Sequence, residues 1–159
     1  MVVKSDFCFL ANSNKRGKKM HLIIDGYHGN NSKFTNLEFI YKMLDECPDN
    51  IGMTKIIPPY VFKYNGKKPQ DWGISGFVLI AESHISIHTF PEHSHINIDV
   101  FSCKSFECDK VIKYFQDAFE LKEVKTNVIE RGIDYPKDTE KAAAILDLER
   151  YAVAQAAYS

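Results

Sequence analysis

The run AESHISIHTFPEHSHINIDVFSC, residues 81–103, holds four of the six histidines in the chain and one of its four cysteines. Imidazole and thiol groups at this density can hold a metal, fill a core or move protons. The pattern around them narrows the choice. In HISIHTF (84–90) and HINIDVFSC (95–103) apolar and polar residues alternate. Ile85 and Ile87 therefore point away from His84, Ser86 and His88, and Ile96, Ile98 and Val100 point away from Asn97, Asp99, Phe101 and Cys103. If the strands close as a hairpin through PEHSH, the register that joins the apolar sides also joins His84, Ser86 and His88 to Asn97, Asp99 and Cys103. One face is then greasy and the other reactive.

The alternation begins only after the Glu82-Ser83 junction, where the apolar run GFVLIA ends. A serine at such a break can attack the carbonyl of the preceding residue and exchange a peptide bond for an ester. A base near Ser83, for which His88 has the right chemistry, could then remove the α proton. Elimination would split the chain after Glu82 and leave residue 83 as dehydroalanine, which hydrolyses to a pyruvoyl cap. That carbonyl condenses with a substrate amine, and the imine withdraws electrons as a carboxylate leaves. Metal binding competes with this reading, because His84, His88, His93 and His95 could present imidazoles from a strand pair. His93 and His95, however, fall in or beside the turn, and no two-residue ligand spacing recurs, so no metal is expected.

The elements that must carry these residues are readable in outline. MHLIID (20–25) alternates as a strand, and Thr35-Asn36-Leu37-Glu38 has the form of a capping box opening a helix. That helix carries Leu37, Ile40, Tyr41, Leu44 and Cys47 on one stripe and should stop before Pro48. A strand is expected at 54–63, then an exposed loop NGKKPQDWG (65–73), then GFVLIAE (76–82), apolar enough to be covered on both faces. The two alternating strands follow, then a helix over 106–120 with Val111, Ile112, Phe115 and Phe119 inward, and a strand over 123–130. The order predicts an α+β layered fold, a largely antiparallel sheet with helices on one face. Three parts are expected: a flexible basic arm (1–19), one domain (20–135) and a C-terminal helix (136–159).

The totals exclude some functions. Twenty basic and twenty-one acidic side chains leave a net charge of -1, which provides no large field for nucleic acid or an anionic membrane. Small molecules or proteins are the expected partners. The N-terminal residues lack the order of a signal peptide and no stretch is long enough to span a bilayer, so a cytoplasmic location is expected. The cysteines, Cys8, Cys47, Cys103 and Cys108, form no C-x-x-C pair and read as free thiols of a reducing compartment.

GISGFVLIAESHISIHTFPE followed by IDVFSC resembles the signature of the prokaryotic S-adenosylmethionine decarboxylases, pyruvoyl enzymes made as self-cleaving proenzymes. The likeness extends from HLIIDGY to ERG near residue 132. It implies a two-layer α/β sandwich that dimerises, with the site completed near the subunit interface. It further implies cleavage between Glu82 and Ser83, a pyruvoyl group generated from Ser83, His88 as processing base, and Cys103 as the acid that protonates the substrate α carbon. Ser75 and Ser86 match positions that assist cleavage. Glu92 matches the residue that binds the substrate ribose, Ile85 an aliphatic side chain packed on adenine, and Tyr64, or second Trp72, the opposing aromatic ring. Phe90 stands where the family usually has tryptophan, and His93, His95 and Asn97 where it has small residues. His28 and Gly29 are also atypical. These departures keep two alternatives open: decarboxylation of arginine or ornithine, and a non-enzymatic metal-binding or regulatory relative.

Overall fold

The computed structural model describes residues 19–81 and 83–131. Residues 1–18 of the expected basic arm, the C-terminal helix and Glu82 lie outside the described residues; Lys19, expected in the arm, already belongs to the first strand. Six strands form one antiparallel sheet: β1 (Lys19–Tyr27), β2 (Tyr60–Asn65), β3 (Trp72–Ile80), β4 (Ser83–Phe90), β5 (His95–Ser102) and β6 (Glu123–Arg131), in the spatial order β2-β3-β4-β5-β1-β6. Three helices, α1 (Asn31–Phe34), α2 (Leu37–Asn50) and α3 (Cys108–Phe119), lie over one face. This is the expected α+β sandwich. No helix among the described residues is long and apolar enough to cross a membrane.

The core sits between sheet and helices because the sequence alternation sends one side chain in two there. Leu22 and Ile24 of β1, Ile74 and Val78 of β3, Ile85 and Ile87 of β4, and Ile96, Ile98 and Val100 of β5 are buried against Ile40, Leu44, Val111, Phe115 and Phe119 of the helices. Full burial of each aliphatic side chain contributes about 1.5–3 kcal/mol. Phe34, Phe39 and Phe119 close the end of this layer, with Phe39 edge-on to Phe119 at 5.4 Å. Two glycines set spacings that no side chain would allow. A Cβ on Gly76 would lie 2.8 Å from the Leu44 methyl that seats α2 on the sheet, and one on Gly73 would lie 1.9 Å from the carbonyl oxygen of Thr89.

Several expectations change. The cap of α2 is Asn36, whose side chain accepts from the Phe39 N–H at 3.0 Å, rather than Thr35. The helix also runs through Pro48 to Asn50. Proline there forfeits one hydrogen bond in a last turn whose carbonyls are taken by the N–H groups of Ile51, Gly52 and Met53. Leu37 and Tyr41 are exposed, and Met43 joins Ile40, Leu44 and Cys47 in the core. β2 begins only at Tyr60, because Pro58 and Pro59 have no N–H for a ladder. β3 reaches back to Trp72, inside the segment expected as loop, where Trp72 pairs with Asn65. Nor is β3 covered on both faces: Phe77 and Leu79 are exposed. An apolar run reports only that both faces are apolar, and does not reveal what covers them.

Ile85 also needs correction. It is 0% exposed and belongs to the core under the helices, on the side of β4 opposite His84 and Ser86, so it cannot lie on an adenine bound at the reactive face. Ile85→Ala should therefore cost about 2–5 kcal/mol, read from the urea midpoint of the folded chain. A ligand-packing role would instead leave the midpoint in place and raise KM.

Candidate active site

The uncovered face of the sheet carries the chemistry. Across β4 and β5, His84 stands opposite Phe101, Ser86 opposite Asp99, His88 opposite Asn97 and Phe90 opposite His95. This is the register anticipated from the alternation, and it gathers the polar residues of the hairpin on one side. Ser75 of β3 stands opposite His88, and His21 of β1 stands opposite Phe101.

These residues form two groups at the two ends of β4. At the first end β3 finishes at Ile80 and β4 starts with Ser83, which pairs with Ile80 on one side and Ser102 on the other. Ser83 is half-buried, and its Oγ lies 3.2 Å from Nδ1 of His84. The Ser102 hydroxyl is committed elsewhere, donating to the Lys104 carbonyl at 2.7 Å. Cys103 follows directly and is exposed, one residue beyond the partner of Ser83. The Phe101 ring fills the space behind, 5.7 Å from the rings of both His84 and His21 and 4.4 Å below the Arg131 guanidinium. His21 in turn has Nε2 2.9 Å from Oδ1 of Asp99.

At the second end His88 Nδ1 lies 3.0 Å from the Ser75 hydroxyl. Beyond it a shallow hollow of about 100 Å³ is lined by Gln70, Asp71, Trp72, Phe90, Glu92 and His93. The indole N–H of Trp72 donates to Oε1 of Glu92 at 3.0 Å, and the Lys63 ammonium sits 4.4 Å over the indole ring. The buried Oδ1 of Asn97, opposite His88, accepts no hydrogen bond from the described residues.

The separation of the two groups matters. Ser83 and His88 are five residues apart on a continuous strand, which places them about 17 Å from one another at the usual rise. The expected pairing of His88 with Ser83 is therefore not made within one chain. The imidazole that touches Ser83 belongs to its neighbour, His84, for which the sequence supplied no signal beyond adjacency. Ser75 joins His88 rather than Ser83, and Ser86 occupies the strip between the two ends. Trp72, not Tyr64, shares the hollow with Glu92; Tyr64 is exposed on the edge strand β2, opposite Gly73.

The remaining thiols and histidines have other partners. Cys47 and Cys108 are buried, and burial pushes the Cys47 thiol up to about 12. His95 bonds the Gly26 carbonyl at 3.0 Å and stacks between Tyr27 and Phe90. Among the described residues no three histidine, cysteine or acidic side chains converge as metal ligands would.

Comparison with known proteins agrees with the geometry. Residues 20–132 match the family model described as S-adenosylmethionine decarboxylase. An S-adenosylmethionine decarboxylase proenzyme of Clostridium botulinum is 38% identical over 113 residues, covering 70% of this chain and 92% of the relative. One from Archaeoglobus fulgidus is 32% identical over 113 residues, covering 70% and 96%. The crystal structure of the adenosylmethionine decarboxylase from Aquifex aeolicus superposes with a TM-score of 0.65 at 29% identity, covering 78% of this chain and 98% of that one. With its six-stranded sheet and its serine at the head of β4, the chain belongs to the S-adenosylmethionine decarboxylase family.

Proposed function

We propose that this chain is a cytoplasmic proenzyme that cuts itself between Glu82 and Ser83 and then decarboxylates S-adenosylmethionine, giving the aminopropyl donor for spermidine synthesis. The observation that carries the reading is the first end of β4: a serine at the opening position of a strand, its hydroxyl on an imidazole, with an exposed thiol beside its cross-strand partner. The relatives named as proenzymes support a precursor that is processed. The thiols of Cys47 and Cys103 suit a reducing compartment.

Ser83 attacks the Glu82 carbonyl, the ester is eliminated, and residue 83 remains as a pyruvoyl group. The surroundings fit such a group: its three carbons need no more room than the half-buried seryl unit they replace. When formed, the group supplies a ketone that takes up the substrate amine and the electrons released with carbon dioxide. Cys103, exposed and one residue beyond the cross-strand partner of Ser83, is the group that returns a proton to the substrate α carbon. In the hollow, the Glu92 carboxylate can accept from ribose hydroxyls, and the rings of Trp72 and Phe90 can flank a purine. Two aromatic rings lining the same hollow as a carboxylate suit a nucleoside better than arginine or ornithine.

A second copy of the chain completes the site. His88 cannot reach Ser83 from its own end of β4. The open sheet face meanwhile exposes Tyr60, Phe62, Phe77, Leu79 and Phe90, an apolar surface of the kind that marks an interface. Two such faces packed about a two-fold axis place the Ser83 end of each sheet over the His88 end of the other. The partner subunit's His88, oriented by the partner subunit's Ser75, then removes the α proton of residue 83, and each pocket holds residues of both chains.

Intact mass should give fragments 1–82 and 83–159, the second blocked at its amino end, and Ser83→Ala should stay whole. Ser83→Ala and His88→Ala chains, each uncut alone, should recover cleavage of the His88→Ala chain when co-expressed; continued failure would place the processing base elsewhere. Cys103→Ala should still cleave while turnover falls about 10²-fold or more, followed as carbon dioxide released from S-adenosylmethionine beside arginine and ornithine. Full turnover in that variant would remove the thiol from the mechanism, and release from arginine alone would move the substrate.

A further inference from the structure

We propose that His84 is the base that starts maturation, taking the hydroxyl proton of Ser83 as its oxygen attacks the Glu82 carbonyl. The inference rests on the self-cleavage reading above and adds to it a residue for the first step. It separates ester formation, at one end of β4, from the later removal of the α proton.

The geometry is local. Among the described residues the titratable atom in hydrogen-bond contact with Ser83 Oγ is Nδ1 of His84, at 3.2 Å. Ser83 donates when Nδ1 carries a lone pair, which is the arrangement of an activated nucleophile. The ring cannot turn freely, because it stands edge-on to Phe101 at 5.7 Å, and Phe101 is held between the His21 ring and the Arg131 guanidinium. His21 is engaged with Asp99, leaving His84 as the histidine available to Ser83.

The step balances without a co-reactant. The Oγ–C bond to Glu82 forms and the C–N bond of the peptide breaks. The proton taken from Oγ by Nδ1 passes to the departing nitrogen, which becomes the amine of residue 83. That nitrogen and Oγ belong to the same residue, so one imidazole on the next position serves both transfers without changing place. The strand then presents an ester to whichever base removes the α proton.

The test separates the two steps by the ester between them. In freshly made precursor, His88→Ala should accumulate an ester that hydroxylamine cleaves after Glu82, whereas His84→Ala, His84→Asn and the double variant His84→Ala/His88→Ala should show none. Cleavage of His84→Ala should fall about 10²-fold or more and recover in part with added imidazole. Asn keeps a hydrogen-bond acceptor near the Nδ1 position but takes no proton, so wild-type cleavage in His84→Asn would reduce the residue to positioning and overturn the proposal. Thermal midpoints compared with uncut Ser83→Ala identify any variant that fails to fold, and His84→Gln then carries the same test. A wild-type chain that stays whole removes the self-cleavage reading itself. Wild-type cleavage matched by His84→Ala removes only His84.

Discussion

Ile85 stands opposite Val100 and Ile87 opposite Ile98, all four buried under the helices. A slip of one residue between β4 and β5 would send these side chains into water and bring His84, Ser86 and His88 into the core. The loss would be about 1.5–3 kcal/mol for each apolar side chain, together with desolvation of the imidazoles. The register is thus held by groups that take no part in the chemistry, and it fixes what the reactive face presents. Ser83, the first residue of β4, is placed at the sheet end by the same pairing.

The candidate site is a row with two ends. At one, a hydroxyl meets an imidazole and an exposed thiol follows the hydroxyl's cross-strand partner; at the other, an imidazole-hydroxyl pair adjoins a hollow with an indole and a carboxylate. Between them, β2 and β3 expose aromatic and aliphatic side chains that a lone domain would keep covered. The uncovered greasy surface and the distance from Ser83 to His88 are two independent oddities of a single chain. On the proposed reading, packing one sheet on another resolves both.

Much of this was legible in the amino-acid order. The face assignments of β4 and β5 follow from strict alternation, and the layered fold follows from element order. The failures have physical causes. A period of two states which residues share a side but not which side is covered, so GFVLIAE reads as covered on both faces although Phe77 and Leu79 are exposed; the adenine contact at Ile85 comes from the family resemblance, against the greasy side on which the alternation puts it. Sequence spacing between Ser83 and His88 resembles proximity until the strand is extended, when five residues become a long separation. The partnership of Trp72 with Glu92 joins the start of β3 to the turn between β4 and β5, and no local pattern encodes such a contact. Proline was informative where it blocks a ladder, at Pro58 and Pro59, and misleading at Pro48, where only one bond in a final helical turn was at stake.

Dividing the reactive groups between opposite ends of one strand has a kinetic meaning. On the proposed reading, a newly translated molecule can form its ester but cannot complete the cleavage alone, since no internal motion short of unfolding β4 brings its own two ends together. Maturation then becomes second order at low abundance, rising with the square of expression until association saturates. A cell holding few copies would keep them dormant, and a modest rise in synthesis would yield a disproportionate gain in active catalyst.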